Sequence, residues 1–146
     1  MNFLKILTTG FILLVSLIFL AVSLGSFLAP EQVMEYLSIQ AVSDSAFNSI
    51  RSYYGGLNLV FSLFLFYAAF RMQKTALGFI SLYTIGFLIG RVYSFIAEGV
   101  ANAFVIRWTA VEVILFLVSF LLIRAMIDRS SESSESRLDY KQEASI

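Results

Sequence analysis

The chain has 146 residues, of which 59% are hydrophobic and only 14% are charged, and its 10 basic and 10 acidic residues balance. A soluble domain of this size cannot bury so much apolar surface, so the composition indicates a membrane protein. The zero net charge provides no field to attract nucleic acid, and we expect no nucleic-acid partner. The absence of cysteine and histidine excludes thiolate and histidine catalysis and the usual zinc and haem ligands. We therefore predict no metal site and no intrinsic cofactor.

Four apolar segments follow one another along the chain, each about as long as a helix needs to be to cross a bilayer. They are continuously apolar rather than alternating, which argues against transmembrane strands. We predict an all-α fold, an integral membrane four-helix bundle. The predicted helices cover roughly residues 6–29, 50–70, 76–97 and 103–123, within one domain of residues 1–127.

The first segment also has features of a signal peptide, because Lys5 precedes the apolar stretch and small residues follow it. Its apolar run is longer than the roughly 7–15 residues of a typical signal-peptide core, so we expect it to be retained as the first helix. Thr9, Ser16 and Ser23 lie one heptad apart on this segment. This spacing predicts a polar stripe that packs against the other helices.

Residues 30–49 contain three acidic residues and no Lys or Arg, whereas basic residues occur near the opposite ends of the helices. Because Lys and Arg favour the cytoplasmic side, we predict that both termini are cytoplasmic and that this loop faces outward. Pro30 and Glu31 fit the first turn of a short surface helix, and Asp44 is a candidate N-cap for the second span. An ordinary loop is the favoured interpretation of this region, and the short surface helix is the alternative.

The composition becomes polar and rich in serine and glutamate from residue 128 onward. Such a segment buries too little apolar surface to offset the entropy of ordering, so residues 128–146 are predicted to form a disordered cytoplasmic tail. A solvating role and a phosphorylation switch are both open for this tail.

Polar and small residues recur on one face of the second segment, where Arg51, Gly55, Asn58 and Ser62 are spaced by four, three and four positions. In an α-helix this spacing makes one continuous stripe, which we expect to face the bundle interior. Tyr54 lies beside the stripe, as either an interfacial anchor or part of a site.

The third segment carries a second polar stripe, formed by Arg91, Ser94 and Glu98. Gly86 and Gly90 repeat at the four-residue spacing that allows close approach of membrane helices. Helix packing is therefore the predicted role of four glycines, which are Gly55, Gly56, Gly86 and Gly90.

Arg91 and Glu112 are ionisable residues inside membrane-spanning segments, where a charge costs on the order of 3 kcal/mol or more. Both lie about 9 Å below the outer ends of their helices, and Asn58 reaches the same depth. We predict an Arg91–Glu112 ion pair, with Asn58 and tyrosine hydroxyls satisfying its remaining groups. The pair either fixes helix register or forms a polar binding site. The candidate binding residues are Arg51, Tyr54, Asn58, Arg91, Ser94, Glu98 and Glu112.

Short motifs resemble those of small bacterial four-helix membrane proteins of unknown function that are similar to the DoxX-like superfamily. The resemblance covers roughly residues 1–125 and rests on RSYYGG at Arg51–Gly56, Asn58, GRVYS at Gly90–Ser94, and Glu112. It implies a four-helix fold in a bacterial inner membrane, and no established activity. Its matching positions are Arg51, Gly55, Gly56, Gly90, Arg91 and Glu112. Some DoxX-like relatives are described as subunits of quinone-linked oxidoreductases, which makes a bound quinone or a partner membrane subunit an expectation.

Four classes of function remain open. The first is a ligand-binding or accessory protein that holds a lipid, a quinone or a small amphipath, with membrane lipid, a partner subunit or a second copy as partners. The second is a small ion- or proton-coupled transporter, since buried ionisable residues mark ion paths. A purely structural protein and an enzyme complete the alternatives. The enzyme is the least favoured, because no nucleophile and base accompany Glu112 or Glu98.

Overall fold

The computed structural model describes the backbone of residues 3–39, 43–99 and 101–143, and the side chains in these ranges up to residue 128. The described residues form six α-helices and one π-helical turn, with no strand. These elements are α1 Phe3–Leu28, α2 Pro30–Tyr36, α3 Asp44–Ile50, the π-helical turn Arg51–Gly56, α4 Leu57–Arg71, α5 Gln73–Ala97 and α6 Ala103–Glu143. The prediction of an all-α fold is confirmed.

Four stretches of helix are long and apolar enough to cross a membrane: α1, the continuous helix Asp44–Arg71, α5, and residues Ala103–Asp128 of α6. Much of their apolar surface faces outward, and only 11% of the most apolar part of α5 is buried. A helix with apolar side chains around most of its surface is suited to lipid rather than to water. The four spans fit the prediction of an integral membrane protein.

The spans are arranged as two close pairs, with α1 against α4 and α5 against α6. The two pairs approach each other less closely. Met72 alone separates α4 from α5, and its N–H donates to the carbonyl of Ala68 at 2.8 Å. We call the end that holds Lys5 and this turn the basic end. The opposite end, which holds α2, α3 and the α5–α6 connection, is called the cleft end.

An apolar core fills the half of the bundle nearer the basic end. Small side chains on α4 and α5 allow close helix approach there, and larger aliphatic residues fill the remaining space. The buried residues of this core are Ile12, Val15, Leu65, Ala68, Ala69, Ala76, Leu77, Ile80 and Leu122. Because the core lies at one end, the helices have room to separate at the other.

The predicted hydroxyl stripe of α1 joins this helix to its neighbours. Ser16 Oγ donates to the carbonyl of Ser62 at 2.9 Å, and Ser23 Oγ donates to the carbonyl of Gly55 at 2.8 Å. Thr9 Oγ1 lies 2.6 Å from the side-chain amide of Gln73. Ser16 and Ser23 are buried, so the prediction of a packing stripe is confirmed.

The π-helical turn alters the predicted polar stripe of the second span. Gly55, Asn58 and Ser62 face inward as expected, whereas Arg51 is exposed and its guanidinium lies 5.9 Å from the centre of the Phe47 ring. The prediction that Arg51 continues the inward stripe is wrong, because a π-helical turn contains more residues than an α-helical one and rotates the preceding positions.

The connections at the cleft end contain the short helix that was the alternative to an ordinary loop. α2 begins at Pro30, and Met34 on this helix is buried. α3 begins at Asp44, with Ser43 rather than Asp44 in the N-cap position. Residues 40–42 lie outside the described ranges.

The C-terminal segment, which the sequence predicts to be a disordered tail, is described by its backbone alone beyond residue 128. The backbone of α6 continues as helix to Glu143, where the polar composition favours a disordered tail. No Pro or Gly occurs between residues 103 and 143. An existing helix adds residues at low cost, so the membrane span provides the nucleus for this extension. The last three residues lie outside the described ranges.

Candidate functional site

A cleft of about 1470 Å³ opens between α1 and the α5–α6 pair at the cleft end. Residues of α2 and of the segment that follows it form the edge of the cleft furthest from the basic end, which we call its upper edge. α5 forms the longest wall, with small residues beside polar and aromatic ones. The cleft-lining residues of α5 include Tyr83, Gly86, Phe87, Gly90, Arg91 and Ser94, and Glu98 lines the cleft directly after the helix ends.

A second, much smaller cavity of about 80 Å³ lies next to this cleft, deeper in the bundle. Asn58, Thr84 and Glu112 line the small cavity but not the cleft. The side chains that line both spaces, and so lie between them, include Tyr54, Tyr83, Phe87 and Trp108. The site therefore consists of a wide outer space and a narrow inner one.

The predicted ion pair lies where these two spaces meet. Arg91 Nε donates to Glu112 Oε2 at 3.2 Å, and Arg91 NH2 donates to Glu112 Oε1 at 3.0 Å. Arg91 lines the cleft and keeps 20% of its side-chain surface exposed, whereas Glu112 lines the small cavity and keeps 7%. The pair thus presents its cationic partner to the cleft.

This side-on pairing leaves part of the guanidinium available. A guanidinium carries five N–H groups, and the two bonds to Glu112 use one on Nε and one on NH2. The remaining donors belong to NH1 and NH2, which are the atoms furthest along a side chain that lines the cleft. The site can therefore offer hydrogen bonds to an acceptor without breaking the ion pair.

Asn58 contributes to the small cavity in a different way from the one predicted. Its amide nitrogen donates to the carbonyl of Tyr54 at 2.7 Å, and its Oδ1 lies 3.5 Å from the Tyr83 hydroxyl. The structure therefore couples Asn58 to two tyrosines of the cavity wall. The expectation that Asn58 hydrogen-bonds to the ion pair is wrong, because the amide reaches back to its own helix.

The polar residues predicted for the third span are brought together as expected. Ser94 and Glu98 line the cleft with Arg91, and Glu98 caps the C-terminal end of α5 with its N–H donating to the Ser94 carbonyl at 2.8 Å. Tyr54 lines both spaces. Arg51 contributes to neither space.

Of the four glycines predicted to pack helices, Gly55 alone lies close to another helix. A Cβ atom at Gly55 would lie 3.0 Å from the Phe27 ring of α1. At Gly86 and Gly90 a Cβ would meet no atom within 4 Å, and at Gly56 only the carbonyl of Arg51, at 3.9 Å. Within the single chain, the structure shows no close helix contact for Gly56, Gly86 or Gly90. Separation of the helix pairs leaves Gly86 and Gly90 facing the cleft.

Aromatic side chains that the sequence-based list omitted form much of the site. Tyr36 of α2 stacks on Phe104 of α6 with 5.3 Å between ring centres, and Phe104 is nearly parallel to Trp108 at 6.2 Å. Tyr83 lies 4.8 Å from Phe87, between the cleft and the small cavity. A tyrosine near the middle of a span, away from the usual interfacial belt, was the available signal for Tyr83.

The profile of one protein family matches residues 7–123, and its description is Domain of unknown function (DUF4345). The chain belongs to this family. The matched residues of the DUF4345 domain contain both partners of the ion pair and most of the cleft wall. Neither a curated protein nor a solved structure matches the chain.

The chemistry available to this DUF4345 domain follows from the side chains at its cleft. Within the described ranges no three His, Cys, Asp or Glu residues come together in a way that could hold a metal ion. The cleft instead offers aromatic surface, aliphatic surface, guanidinium donors and the Glu98 carboxylate at its upper edge. These groups suit recognition of an amphipathic molecule by stacking and hydrogen bonding.

Proposed function

We propose that this DUF4345 protein is a membrane protein that binds an amphipathic ligand in the cleft, with the ligand's polar head at Arg91. The observation that carries the proposal is the orientation of the Arg91–Glu112 pair, in which the guanidinium borders the wide cleft and the carboxylate lies behind it. A pair that only fixed helix register would gain nothing from an adjoining cleft of about 1470 Å³.

The charge balance of the cleft supports a head group without a net negative charge. Arg91 is neutralised by Glu112 at 3.0 Å, and Glu98 adds a negative charge among the cleft-lining residues. An anionic head group would accept hydrogen bonds from Arg91, but the carboxylate of Glu98, whose charge is not compensated in the cleft, would repel it. A carbonyl, ether or hydroxyl oxygen accepts the guanidinium hydrogen bonds without this repulsion.

The remainder of the wall supports an apolar ligand body. The stacked rings of Tyr36, Phe104 and Trp108 form one side, and Gly86 and Gly90 leave space on the other. A lipid, a quinone or another small amphipath combines such a body with an acceptor head. The quinone is included because the resemblance to DoxX-like proteins implies it, and the same resemblance supports an accessory role beside a partner membrane subunit.

We further propose that the protein lies in a bacterial inner membrane with both termini in the cytoplasm. Lys5, Arg71 and Lys74 at the basic end support this orientation through the preference of basic residues for the cytoplasmic side. The cleft would then open toward the outer half of the bilayer.

The experiment that tests ligand binding fills the cleft without touching the ion pair. The double variant Gly86→Leu/Gly90→Leu places two large side chains where a Cβ meets no neighbouring atom, so the fold can accept them. Gly78→Leu is the matched control, since Gly78 is also open, lies on the same helix and does not line the cleft. Each protein is purified in mild detergent, and its bound small molecules are extracted and measured by mass spectrometry.

We expect one amphipath to recur in the unmodified protein and in Gly78→Leu, and its amount per protein to fall about tenfold in the filled variant. Equal amounts in all three proteins would place the molecule outside the cleft. Gently solubilised protein that repeatedly contains no such molecule would also overturn the proposal.

A further inference from the structure

A second pocket, independent of the cleft, lies at the basic end of the bundle. It has a volume of about 390 Å³ and is formed where the start of α1, the α4–α5 turn and α6 meet. Three of its lining residues are basic: Lys5 on α1, Arg71 at the end of α4 and Lys74 in the first turn of α5. Among the side chains that the structure describes, which end at residue 128, none that lines this pocket is acidic.

The side chain of Gln73 links the backbone segments that carry the basic residues. The Gln73 amide nitrogen lies 3.2 Å from the carbonyl of Lys5, 2.6 Å from Thr9 Oγ1 and 3.1 Å from the carbonyl of Ala69. These contacts hold the first turn of α1 against the α4–α5 turn. Lys5 is thereby kept beside Arg71, although the two residues are far apart in sequence.

The backbone adds to the positive potential of this pocket. α5 begins at Gln73, and its first turn carries no acidic residue. Its N-cap, Met72, makes no side-chain hydrogen bond to that turn. The first N–H groups of a helix lack intrahelical acceptors and favour an anion near them.

We propose that this pocket binds a phosphate group, as presented by the head of an anionic membrane phospholipid. A preference of basic residues for one side of the membrane explains why Lys and Arg occur at this end. It does not explain why three of them adjoin both a helix N-terminus and a cavity whose described lining contains no acidic residue. Basic pockets between membrane helices recognise phospholipid head groups through this combination of features.

The apolar part of the pocket supports a lipid as the source of the phosphate. Phe70, Met72 and Met126 line the same space as the basic residues. They provide apolar surface next to the point where a head group would be held, as acyl chains require. Free inorganic phosphate offers the same anion without the chains, so the two sources can be separated by experiment.

The test uses the full-length protein, purified in mild detergent and delipidated. Its thermal unfolding is measured with added dioleoyl phosphatidylglycerol, with dioleoyl phosphatidylcholine, and with inorganic phosphate. A molecule that binds only the folded protein raises its melting temperature. The variant Lys5→Gln/Arg71→Gln removes two basic groups from the pocket. Arg51→Gln/Arg107→Gln is the control, because it makes the same change in net charge at exposed residues of the cleft end.

We expect phosphatidylglycerol to raise the melting temperature more than phosphatidylcholine does in the unmodified protein and in the control. In Lys5→Gln/Arg71→Gln we expect an increase of about tenfold or more in the phosphatidylglycerol concentration needed for half of the shift. Inorganic phosphate that reproduces the whole shift, again lost in this variant, would support the phosphate site with a free anion as its source.

Three results would overturn the proposal: equal shifts with the two lipids, an unchanged response in Lys5→Gln/Arg71→Gln, or an equal loss in the control. If the pocket variant does not fold, Lys5→Arg/Arg71→Lys keeps both charges and must retain the phosphatidylglycerol shift. The cleft-filling variant Gly86→Leu/Gly90→Leu should also retain it. Failure of this proposal therefore leaves the cleft proposal intact, and the reverse also holds.

Discussion

The guanidinium of Arg91 donates two hydrogen bonds, of 3.2 and 3.0 Å, to the carboxylate of Glu112, and the two side chains border different spaces. Arg91 lines the wide cleft and Glu112 the small cavity behind it. The pair joins α5 to α6 near the cleft end, where the apolar core does not extend. It therefore holds this end of the α5–α6 pair together and presents donors to the cleft.

Removing either charge of this pair should destabilise the protein. Arg91→Ala leaves the buried Glu112 carboxylate without its partner, and Glu112→Ala does the same to the guanidinium, so each should cost about 3 kcal/mol. Denaturation in mild detergent measures the loss. Glu98→Ala is the control, because Glu98 lines the same cleft but is exposed. The swapped variant Arg91→Glu/Glu112→Arg should recover part of the stability, and single variants as stable as the control would show that the charges do not depend on each other.

Gly55 and Gly56 should respond differently to the same substitution. A Cβ at Gly55 would lie 3.0–3.1 Å from the tip of the Phe27 ring, so Gly55→Ala forces the ring to move. Gly56 has room for a Cβ, and Gly56→Ala should gain up to about 1 kcal/mol from the higher helix propensity of alanine. Thermal unfolding should therefore rank Gly55→Ala below Gly56→Ala. Adding Phe27→Leu to both variants should reduce the difference between their melting temperatures. A difference that persists would mean that the Phe27 ring does not cause it.

The hydroxyl of Ser23 should stabilise the contact between α1 and the π-helical turn. Ser23→Ala removes the bond to the Gly55 carbonyl and should cost about 0.6–2 kcal/mol, the range of interhelical hydrogen bonds in membranes. Ser26→Ala deletes the same atom from an equally buried serine, whose hydroxyl bonds to Val22 of its own helix. A steric-trap or denaturant measurement should find Ser23→Ala the more destabilised of the two. The opposite order would contradict the assigned contact.

Asn102 has two roles that a pair of substitutions can separate. Its Oδ1 accepts the N–H of Val105 at 2.9 Å at the start of α6, and its amide nitrogen lies 2.8 Å from Ser38 Oγ and 3.3 Å from the Tyr36 carbonyl. Asn102→Asp keeps an acceptor for the helix start and loses the donor, whereas Asn102→Ala loses both.

Hydrogen–deuterium exchange of the backbone amides measures these two effects. Both variants should increase exchange around Tyr36 at the upper edge of the cleft, and Asn102→Ala alone should also increase exchange in the first turn of α6. Unchanged exchange around Tyr36 in Asn102→Asp would show that the amide does not hold α2 in place.

The proposed orientation has its own test, through fusions of reporter domains to the chain. Green fluorescent protein fused after residue 146 should be fluorescent, because it folds in the cytoplasm. Alkaline phosphatase inserted near Ser43, in the connection between α2 and α3, should be active, because it needs the opposite side. The reverse pattern would place the cleft on the cytoplasmic side. Substitution of Lys5, Arg71 and Lys74 by glutamine should weaken the preference of the basic end for the cytoplasmic side.

Much of the fold follows from the sequence because lipid imposes one strong constraint. Four continuous apolar segments can cross a bilayer only as helices, since each must satisfy its own backbone hydrogen bonds. The same constraint predicted the Arg91–Glu112 pair, because an isolated charge at that depth costs too much to persist unpaired. The hydroxyl stripe of α1 followed from its heptad spacing for the same reason.

The positions that sequence reasoning misplaced depend on how the helices meet. The inward direction assigned to Arg51 assumed an unbroken α-helical period, and one π-helical turn in RSYYGG rotated it outward. Gly86 and Gly90 have the spacing of a packing motif, but they border open space because the two helix pairs separate at the cleft end. Spacing along a single helix contains no information about which neighbour is present.

The sequence by itself determined that this protein has four helices able to cross a membrane. It also determined which polar residues are too costly to expose to lipid, and that the charges of Arg91 and Glu112 must be paired. These properties depend on local composition and on the energy of polar groups in hydrocarbon. Only the tertiary structure decided that the core lies at the basic end, that the cleft opens at the other, and that Tyr83, Phe104 and Trp108 form its walls. Such features depend on the relative positions of four helices, which pack through nonspecific apolar contacts that many sequences of similar pattern would satisfy.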